Sequence, residues 1–203
     1  MPETANKVKY GLKNVYYAVI TAEAENGAPT YGTPVHIPGA VNLSLDAEGE
    51  QNAFRADNID YYVTNSNNGY SGSLEMALLP DHFRAAVLGE KVDANGLIYE
   101  DKDAAAVGFA LMFQFEGDQK ATRHVMYKCI ASRPSVASET TDTTIEPVTE
   151  EMDLTCSSVY AAAVDAWVPK ARCKEGDTNY ATFFESVVMP AASAATPATG
   201  SNP

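Results

Sequence analysis

The chain has 203 residues, 45% of them apolar and 20% charged, which is long enough to bury one core without disulfides or metals. Its formal net charge of −13 repels phosphates and argues against tight nucleic-acid binding, membrane adhesion and acidic partners, although the same charge also keeps an abundant protein soluble. Since the first residues show no signal-peptide pattern and no apolar run is long enough to span a membrane, we expect folding in a cytoplasm.

Three cysteines, Cys129, Cys156 and Cys173, are an odd number at unrelated spacings. In a cytoplasmic protein this favours reduced thiols buried as small apolar groups.

Two early segments predict β-strands. Residues 13–21 place Val15, Tyr17 and Val19 on one face, and Tyr16, Ala18 and Ile20 on the other. In residues 40–50 we expect Val41, Leu43 and Leu45 to face inward and Asn42, Ser44 and Asp46 outward. One dry and one wet face is typical of an antiparallel sheet.

Residues 47–72 combine strand-like pieces at 53–56 and 59–63 with turn residues at 64–72. Tyr61, Tyr62 and Tyr70 make this segment more aromatic than a solvated loop requires. Two interpretations remain open: an arm or loop that contacts a partner, and an edge hairpin folded back on its own sheet.

Residues 73–134 are the segment around which we interpret the rest of the chain. We expect a strand over 73–79 with Leu74, Met76 and Leu78 on one face, then a short helix that ends at Gly89. Asn95 and Gly96 suit the positive backbone angles of a tight hairpin. The apolar run 104–117 predicts a central strand covered on both faces, and 123–131 its antiparallel partner, with Val125, Tyr127, Cys129 and Ala131 inward.

The remainder predicts exposed strands and one helix. Met152 and Leu154 should face inward between polar neighbours, and residues 158–170 form either a strand or a short helix that ends at Pro169. Residues 177–190 predict a C-terminal helix with Asp177 or Thr178 as its N-cap. The fold class is therefore mainly β with one short flanking helix and a C-terminal helix. We expect a single domain over residues 1–190 and a disordered tail over 191–203.

Signatures of chemistry are weak. The histidines His36, His82 and His124 have no paired spacing, and no cysteine pair has the spacing of a zinc site. Gly69 to Gly72 around Ser71 lacks the pattern of a nucleophile elbow, and no phosphate-binding glycine loop occurs. We expect no catalysis, no metal and no cofactor.

Seven blocks together resemble a known family. In order they are GLKNVYYAV, TPVHIPGAVNLSL, FRADNIDYYV, LEMALLPDHFRAAVLG, DANGLIYED, AVGFALMFQFEG and NYATFFESVVMP. Their content and order are similar to the major tail proteins of long-tailed, non-contractile phages of Gram-positive hosts, over residues 8–190.

The resemblance implies a tail-tube subunit with a β-sandwich or rolled sheet. Six copies would close a ring, and rings would stack around a tape-measure protein, between a tail terminator and distal tail or baseplate proteins, to pass genomic DNA without binding it specifically. This assembly would occur in the host cytoplasm and end in the virion tail, with no membrane contact.

By the same resemblance residues 47–72 would be the stacking arm, and the N-terminal stretch and residues 135–153 further contacts between subunits. The candidate contact residues are Phe54, Arg55, Tyr61, Tyr62, Asn67, Asn68 and Tyr70. The candidate acidic residues facing the lumen are Asp46, Glu48, Glu116 and Asp153.

Two alternatives belong to other classes. A monomeric β-sandwich module could bind carbohydrate by stacking Tyr61, Tyr62 and Tyr70 on sugar rings, and it would bind glycan rather than self-associate. A hydrolase would need two carboxylates whose single removal abolishes turnover.

Overall fold

Antiparallel strands dominate the fold. The computed structural model describes residues 6–56, 58–138, 140 and 147–192. The strands are β1 Lys9–Glu23, β2 Pro29–Tyr31, β3 Val35–His36, β4 Ala40–Glu48, β5 Gln51–Ala56, β6 Ile59–Asn65, β7 Gly69–Met76, β8 Lys91–Val92, β9 Ile98–Tyr99, β10 Phe109–Gly117, β11 Thr122–Ala131, β12 Glu150–Ser157, β13 Val159–Ala161, β14 Ala166–Val168 and β15 Lys170–Lys174. The helix α1, Asp81–Phe83, continues as a π-helical turn over Arg84–Leu88. The prediction of a mainly β fold with one short helix is confirmed.

The main sheet has the strand order β2-β1-β10-β11-β12-β7-β4, with β3 also paired to β1. One edge of β11 is shared by two strands, because β15 pairs with Thr122 to Met126 and β12 with Lys128 to Ala131. β10 lies between β1 and β11 and is fully buried on both faces from Phe109 to Met112. The predicted central strand and its antiparallel partner are confirmed.

Alternation along the sheet divides the buried side chains into two cores. The inner core lies on one face and includes Tyr17, Leu74, Phe83, Phe109 and Met152. β1 and β4 contact each other although they lie far apart in the strand order, so the sheet rolls around this core. Burying each of these large side chains contributes about 1.5–3 kcal/mol relative to exposure.

The outer core lies on the opposite face of β1, β10 and β11. It consists of Ala18, Ala110, Met112, Val125, Tyr127, Val159, Cys173 and Phe183. The C-terminal residues after β15 cover it, since Phe183 is 2% exposed and the Tyr127 hydroxyl donates to the Val188 carbonyl at 2.9 Å.

The short helix is held to the sheet by one arginine. Arg84 Nη2 lies 2.5 Å from Glu150 Oε1, and Arg84 Nη1 lies 3.3 Å from Glu90 Oε1. The second oxygen of Glu150 accepts from the Leu79 backbone at 2.7 Å. The helical segment ends at Gly89, whose φ of 78° suits glycine, as predicted.

β-Bulges and strand ends overturn several predicted orientations. Val41 is exposed because the register of β4 shifts between Ala40 and Asn42, while Leu43 and Leu45 pack inward. Leu78 is exposed because β7 ends at Met76.

β11 also departs from simple alternation. A register shift between Phe109 and Leu111 puts Val125 and Tyr127 in the outer core and Cys129 and Ala131 in the inner core.

Two turns differ from the sequence prediction. In the β8–β9 hairpin only Gly96 has a positive φ, because Asp93 Oδ1 accepts from the backbones of Asn95 and Leu97 and closes a longer loop. Residues 158–170 form neither one strand nor a helix but the hairpin β13–β14. Its turn places Asp165 at a φ of 49°.

The predicted C-terminal helix is wrong. Residues 177–186 form successive turns, closed by bonds such as Tyr180 N to Asp177 O and Phe183 N to Tyr180 O that span only three residues. Phe183 is buried in the outer core while the next residue, Phe184, stacks on Tyr16. Packing the consecutive rings of Phe183 and Phe184 against the sheet therefore outweighs the helical spacing of the apolar residues in this segment. The predicted disordered tail lies outside the described residues from 193 onward.

Candidate assembly surfaces

Strands β5 and β6 form a hairpin, here called the arm, that extends the β4–β7 ladder beyond the body. The ladder continues through bonds from Asn68 N to Glu48 O and from Ser66 N to Glu50 O. Gly49 is needed at this junction, because a Cβ there would lie 2.2 Å from the Ser66 carbonyl oxygen. Six residues of strand give the arm a reach of roughly 20 Å at about 3.3 Å per residue.

The arm pairs only with itself among the described strands. Its second strand exposes Ile59, Tyr61, Tyr62 and Val63 by 60%, 70%, 62% and 43%. Tyr61 and Tyr62 are successive residues of β6, and the register shift between Phe54 and Arg55 leaves Tyr61 without a cross-strand partner in the ladder. An isolated two-stranded hairpin is marginally stable in water, and this one presents its apolar side chains to solvent.

The other predicted contact residues are divided between the arm and the body. Arg55 is exposed on the arm, and Phe54 pairs with Tyr62 along the backbone. Asn67 and Asn68 lie at the arm's base, where Asn67 Oδ1 accepts from the Gly69 backbone. Tyr70 lies in the body, half-buried, with the Lys170 ammonium 4.3 Å from its ring centre.

Three of the four predicted acidic residues lie on one surface, here called the polar face, which is the side of β4, β7 and β12 opposite the inner core. Asp46 lies opposite Ser71, Asp153 lies opposite Ser73, and Glu48 Oε1 accepts a hydrogen bond from the Ser71 hydroxyl. Glu116 lies elsewhere, on β10, and pairs with Lys13 at 3.1 Å.

Two further carboxylates, Glu75 and Glu151, lie directly opposite each other on the polar face. The sequence predicts Glu151 on the wet side of its strand, but neither residue is among the predicted lumen candidates, although their alternation with Leu74, Met76, Met152 and Leu154 is the signal that identifies them.

A second exposed apolar surface was not predicted as a contact. The β8–β9 hairpin, predicted only as a turn, exposes Val92, Leu97, Ile98 and Tyr99. Lys91 pairs with Asp101 at 2.8 Å beside it. The signal was present in the sequence, since apolar residues flank the turn on both strands.

The groups that often do chemistry have structural environments here. His36 and His82 are exposed, and His124 is half-buried with its ring stacked on Phe113. All three cysteines are free and buried, and burial raises the pKa of the Cys129 and Cys173 thiols, so they stay protonated. The part of the chain that the structure describes contains no cluster of side chains able to hold a metal.

Two tyrosines, the buried Tyr127 and the partly buried Tyr31, act as hydrogen-bond donors. Burial raises the pKa of Tyr31 and of Tyr127, which keeps both phenols protonated. Tyr31 Oη donates to the Tyr127 carbonyl at 2.9 Å, and Tyr127 Oη donates to the Val188 carbonyl. These bonds connect β2, β11 and the C-terminal segment.

Comparison with known families identifies the chain. The family model described as phage tail tube protein matches residues 3–196, which is nearly the whole sequence. No curated protein shows significant similarity to the chain. Across the described ranges, no helix has the length and apolar character to cross a membrane. The chain therefore belongs to the phage tail tube protein family.

Proposed function

We propose, from its membership of the phage tail tube protein family, that this chain builds the tail tube by closing rings of identical subunits and stacking them. The chain is a structural protein of the phage tail. Residues 1–190 act as one domain in this assembly, with six copies in each ring by analogy. The stacked rings form the conduit for DNA ejection.

The arm is the observation that carries the proposal. It exposes four large apolar side chains on a two-stranded sheet that pairs with no other described strand. Exposed apolar side chains give a monomer no stability, whereas an assembly buries the same side chains and stabilises the hairpin. Its reach of roughly 20 Å suits a contact with a subunit of the adjacent ring.

The polar face suits the wall of a DNA channel. Asp46, Glu48 and Asp153, together with Glu75 and Glu151, give it negative charge. A negative wall repels phosphates, so a moving duplex finds no site to adhere. Glu116 is not part of this surface, and we assign it no lumen role.

Further contacts follow from the family analogy. The N-terminal stretch and residues 135–153 would contact neighbouring subunits, although part of the latter segment, 139 and 141–146, lies outside the described residues. The tape-measure protein, the tail terminator and the distal tail proteins would be the other partners. Assembly would occur in the host cytoplasm.

The carbohydrate-binding alternative has less support. Tyr61 and Tyr62 lie on the arm, whereas Tyr70 lies in the body, with the Lys170 ammonium over its ring. The three rings therefore do not form one platform for a sugar.

Sedimentation velocity over a range of protein concentrations tests the proposal. The wild type should form large species, and the double variant Tyr61→Ser with Tyr62→Ser should stay monomeric. Val41→Ser is a matched control, because Val41 is exposed on the body rather than on the arm. Equal assembly by the arm variant and the wild type would exclude the arm as a stacking contact.

A further inference from the structure

A groove opens between the two ends of the rolled sheet, beside the base of the arm. It has a volume of about 280 Å³ and is lined by apolar and cationic side chains, among them Lys9, Leu45, Tyr70, Phe115, His124 and Lys170. Its floor is aromatic, with Phe113 and Phe115 in edge contact at 5.2 Å. We call this feature the cationic groove.

The groove is positively charged in a protein of net charge −13. The ammonium of Lys170 lies 4.3 Å from the Tyr70 ring centre and that of Lys9 lies 5.4 Å from the Phe115 ring centre. The described lining residues include no carboxylate, and neither lysine forms an ion pair there. The pKa of His124 is lowered to about 4, mainly by burial and further by the positive charges of Lys170, Arg172 and Lys9.

Such a groove selects a particular ligand. Its aromatic floor would bury a flat apolar side chain, and its lysines would attract a nearby carboxylate and contact the ring's π face. The ligand is therefore a segment that carries aromatic side chains among acidic residues.

The arm has this composition. Ile59, Tyr61 and Tyr62 are exposed on it, and its residues 51–65 contain two carboxylates and one arginine, with Glu48 and Glu50 just before them in the sequence. Charge and apolar character are thus complementary between the arm and the groove.

The arm cannot reach the groove of its own chain. Leu45 and Tyr70 lie at the end of the β4–β7 ladder from which the arm departs, and the arm runs away from them by roughly 20 Å. Folding back would break the bonds from Ser66 N to Glu50 O and from Asn68 N to Glu48 O. The arm that fills the groove must come from another copy.

We propose that the cationic groove is the receptor for the arm of a neighbouring subunit, in which Tyr61 or Tyr62 inserts beside Tyr70 and Phe115 between Lys9 and Lys170. This inference rests on the proposed tube function, and it names the surface that the arm contacts.

Photo-crosslinking within assembled tubes tests the inference directly. Tails are assembled from equal amounts of ¹⁴N- and ¹⁵N-labelled full-length chain that carries p-benzoylphenylalanine in place of Tyr61 or, in a second preparation, in place of Tyr62. We expect crosslinks between chains that map to Leu43–Leu45, Tyr70 or Phe115. The same probe in place of Tyr99, on the β8–β9 hairpin, should not reach the groove. The inference would be overturned if neither position 61 nor position 62 crosslinked to the groove of another chain, whether the crosslinks fell on other surfaces, fell within one chain or did not form.

Charge reversal gives an independent test. Lys9→Glu with Lys170→Glu should raise the concentration needed for assembly at least tenfold, and adding Asp60→Lys on the arm should restore part of that loss. Lys102→Glu with Lys174→Glu is the matched control with the same change of net charge, and it should leave assembly unchanged. Normal assembly by the groove variant combined with weaker DNA binding would show that the groove contacts DNA instead.

Different results would contradict the groove as a receptor and the tube function. Tubes that form normally in the groove variant contradict the receptor but leave the tube function intact. A wild-type chain that enters no tube contradicts both.

Discussion

The half-buried His124 predicts a specific dependence of stability on pH. Its pKa is lowered from 6.5 to about 4 in the folded chain, by burial first and then by Lys170, Arg172 and Lys9. Between these values the unfolded chain binds a proton that the native chain does not, so the free energy of unfolding falls as the pH falls from 6.5 towards 4. At roughly 1.4 kcal/mol per tenfold change in proton affinity the loss approaches about 3 kcal/mol. Because the ring is only half-buried, we expect about 2 kcal/mol.

Urea denaturation of the wild type and of His124→Gln at about pH 7 and about pH 4.5 measures this effect. Carboxylates titrate in the same range in both proteins, so their contribution cancels in the difference. The wild type should lose about 2 kcal/mol more than the variant over this range. Equal losses, or a His124 pKa above 6 by NMR titration, would refute the reasoning.

Three further predictions concern the cores and the arm. Phe183→Ala should lower the free energy of unfolding by about 3 kcal/mol, since it empties a site in the outer core that the C-terminal segment covers. Arg84→Met should lower the free energy of unfolding by about 2 kcal/mol, because it removes the charged hydrogen-bond donor of the half-buried Glu150 carboxylate. Tyr61→Ser with Tyr62→Ser should change monomer stability by less than about 0.5 kcal/mol per residue, because both rings are exposed. Chemical denaturation measures all three.

A specific result would contradict each of these three predictions. A Phe183→Ala variant as stable as wild type would mean that the C-terminal segment is not part of the packed fold. An Arg84→Met variant as stable as the wild type would mean that the arginine does not link the helix to the sheet. A large loss of monomer stability in the tyrosine variant would place those rings inside the body rather than on a free arm.

The central part of the fold follows from simple patterns. The run from Phe109 to Phe115 has no polar residue before Gln114, so both faces had to be covered, and the structure places β10 between β1 and β11 with a core on each side. Met152 and Leu154 alternate with charged residues and face inward as expected. Patterns of this kind depend only on the period of the strand and on burial.

Other features depend on neighbours that a local pattern does not contain. The bulge that exposes Val41 is set by pairing with β7. The residues after Asp177 have helical spacing, but Phe183 and Phe184 bind two different parts of the sheet, and this tertiary contact overrides the local preference.

The candidate surfaces also divide into features that follow from local sequence patterns and features that depend on the tertiary fold. The sequence predicts the strand pieces at 53–56 and 59–63 and their aromatic residues, but it leaves open whether they form a projecting arm or an edge hairpin folded back on its own sheet. The cationic groove joins Lys9, Tyr70 and Lys170, which are far apart along the chain and are brought together by the rolled sheet. Sequence reasoning therefore groups Tyr70 with the arm, whereas the structure places it in the groove.

The central claim is that this chain forms a tube through its arm, and electron microscopy of the concentrated wild-type protein, alone and with preformed tail tips as nucleators, tests it most directly. The account predicts stacked rings or tubes for the wild type and none for Tyr61→Ser with Tyr62→Ser. A wild-type protein that remains monomeric under both conditions would contradict the claim.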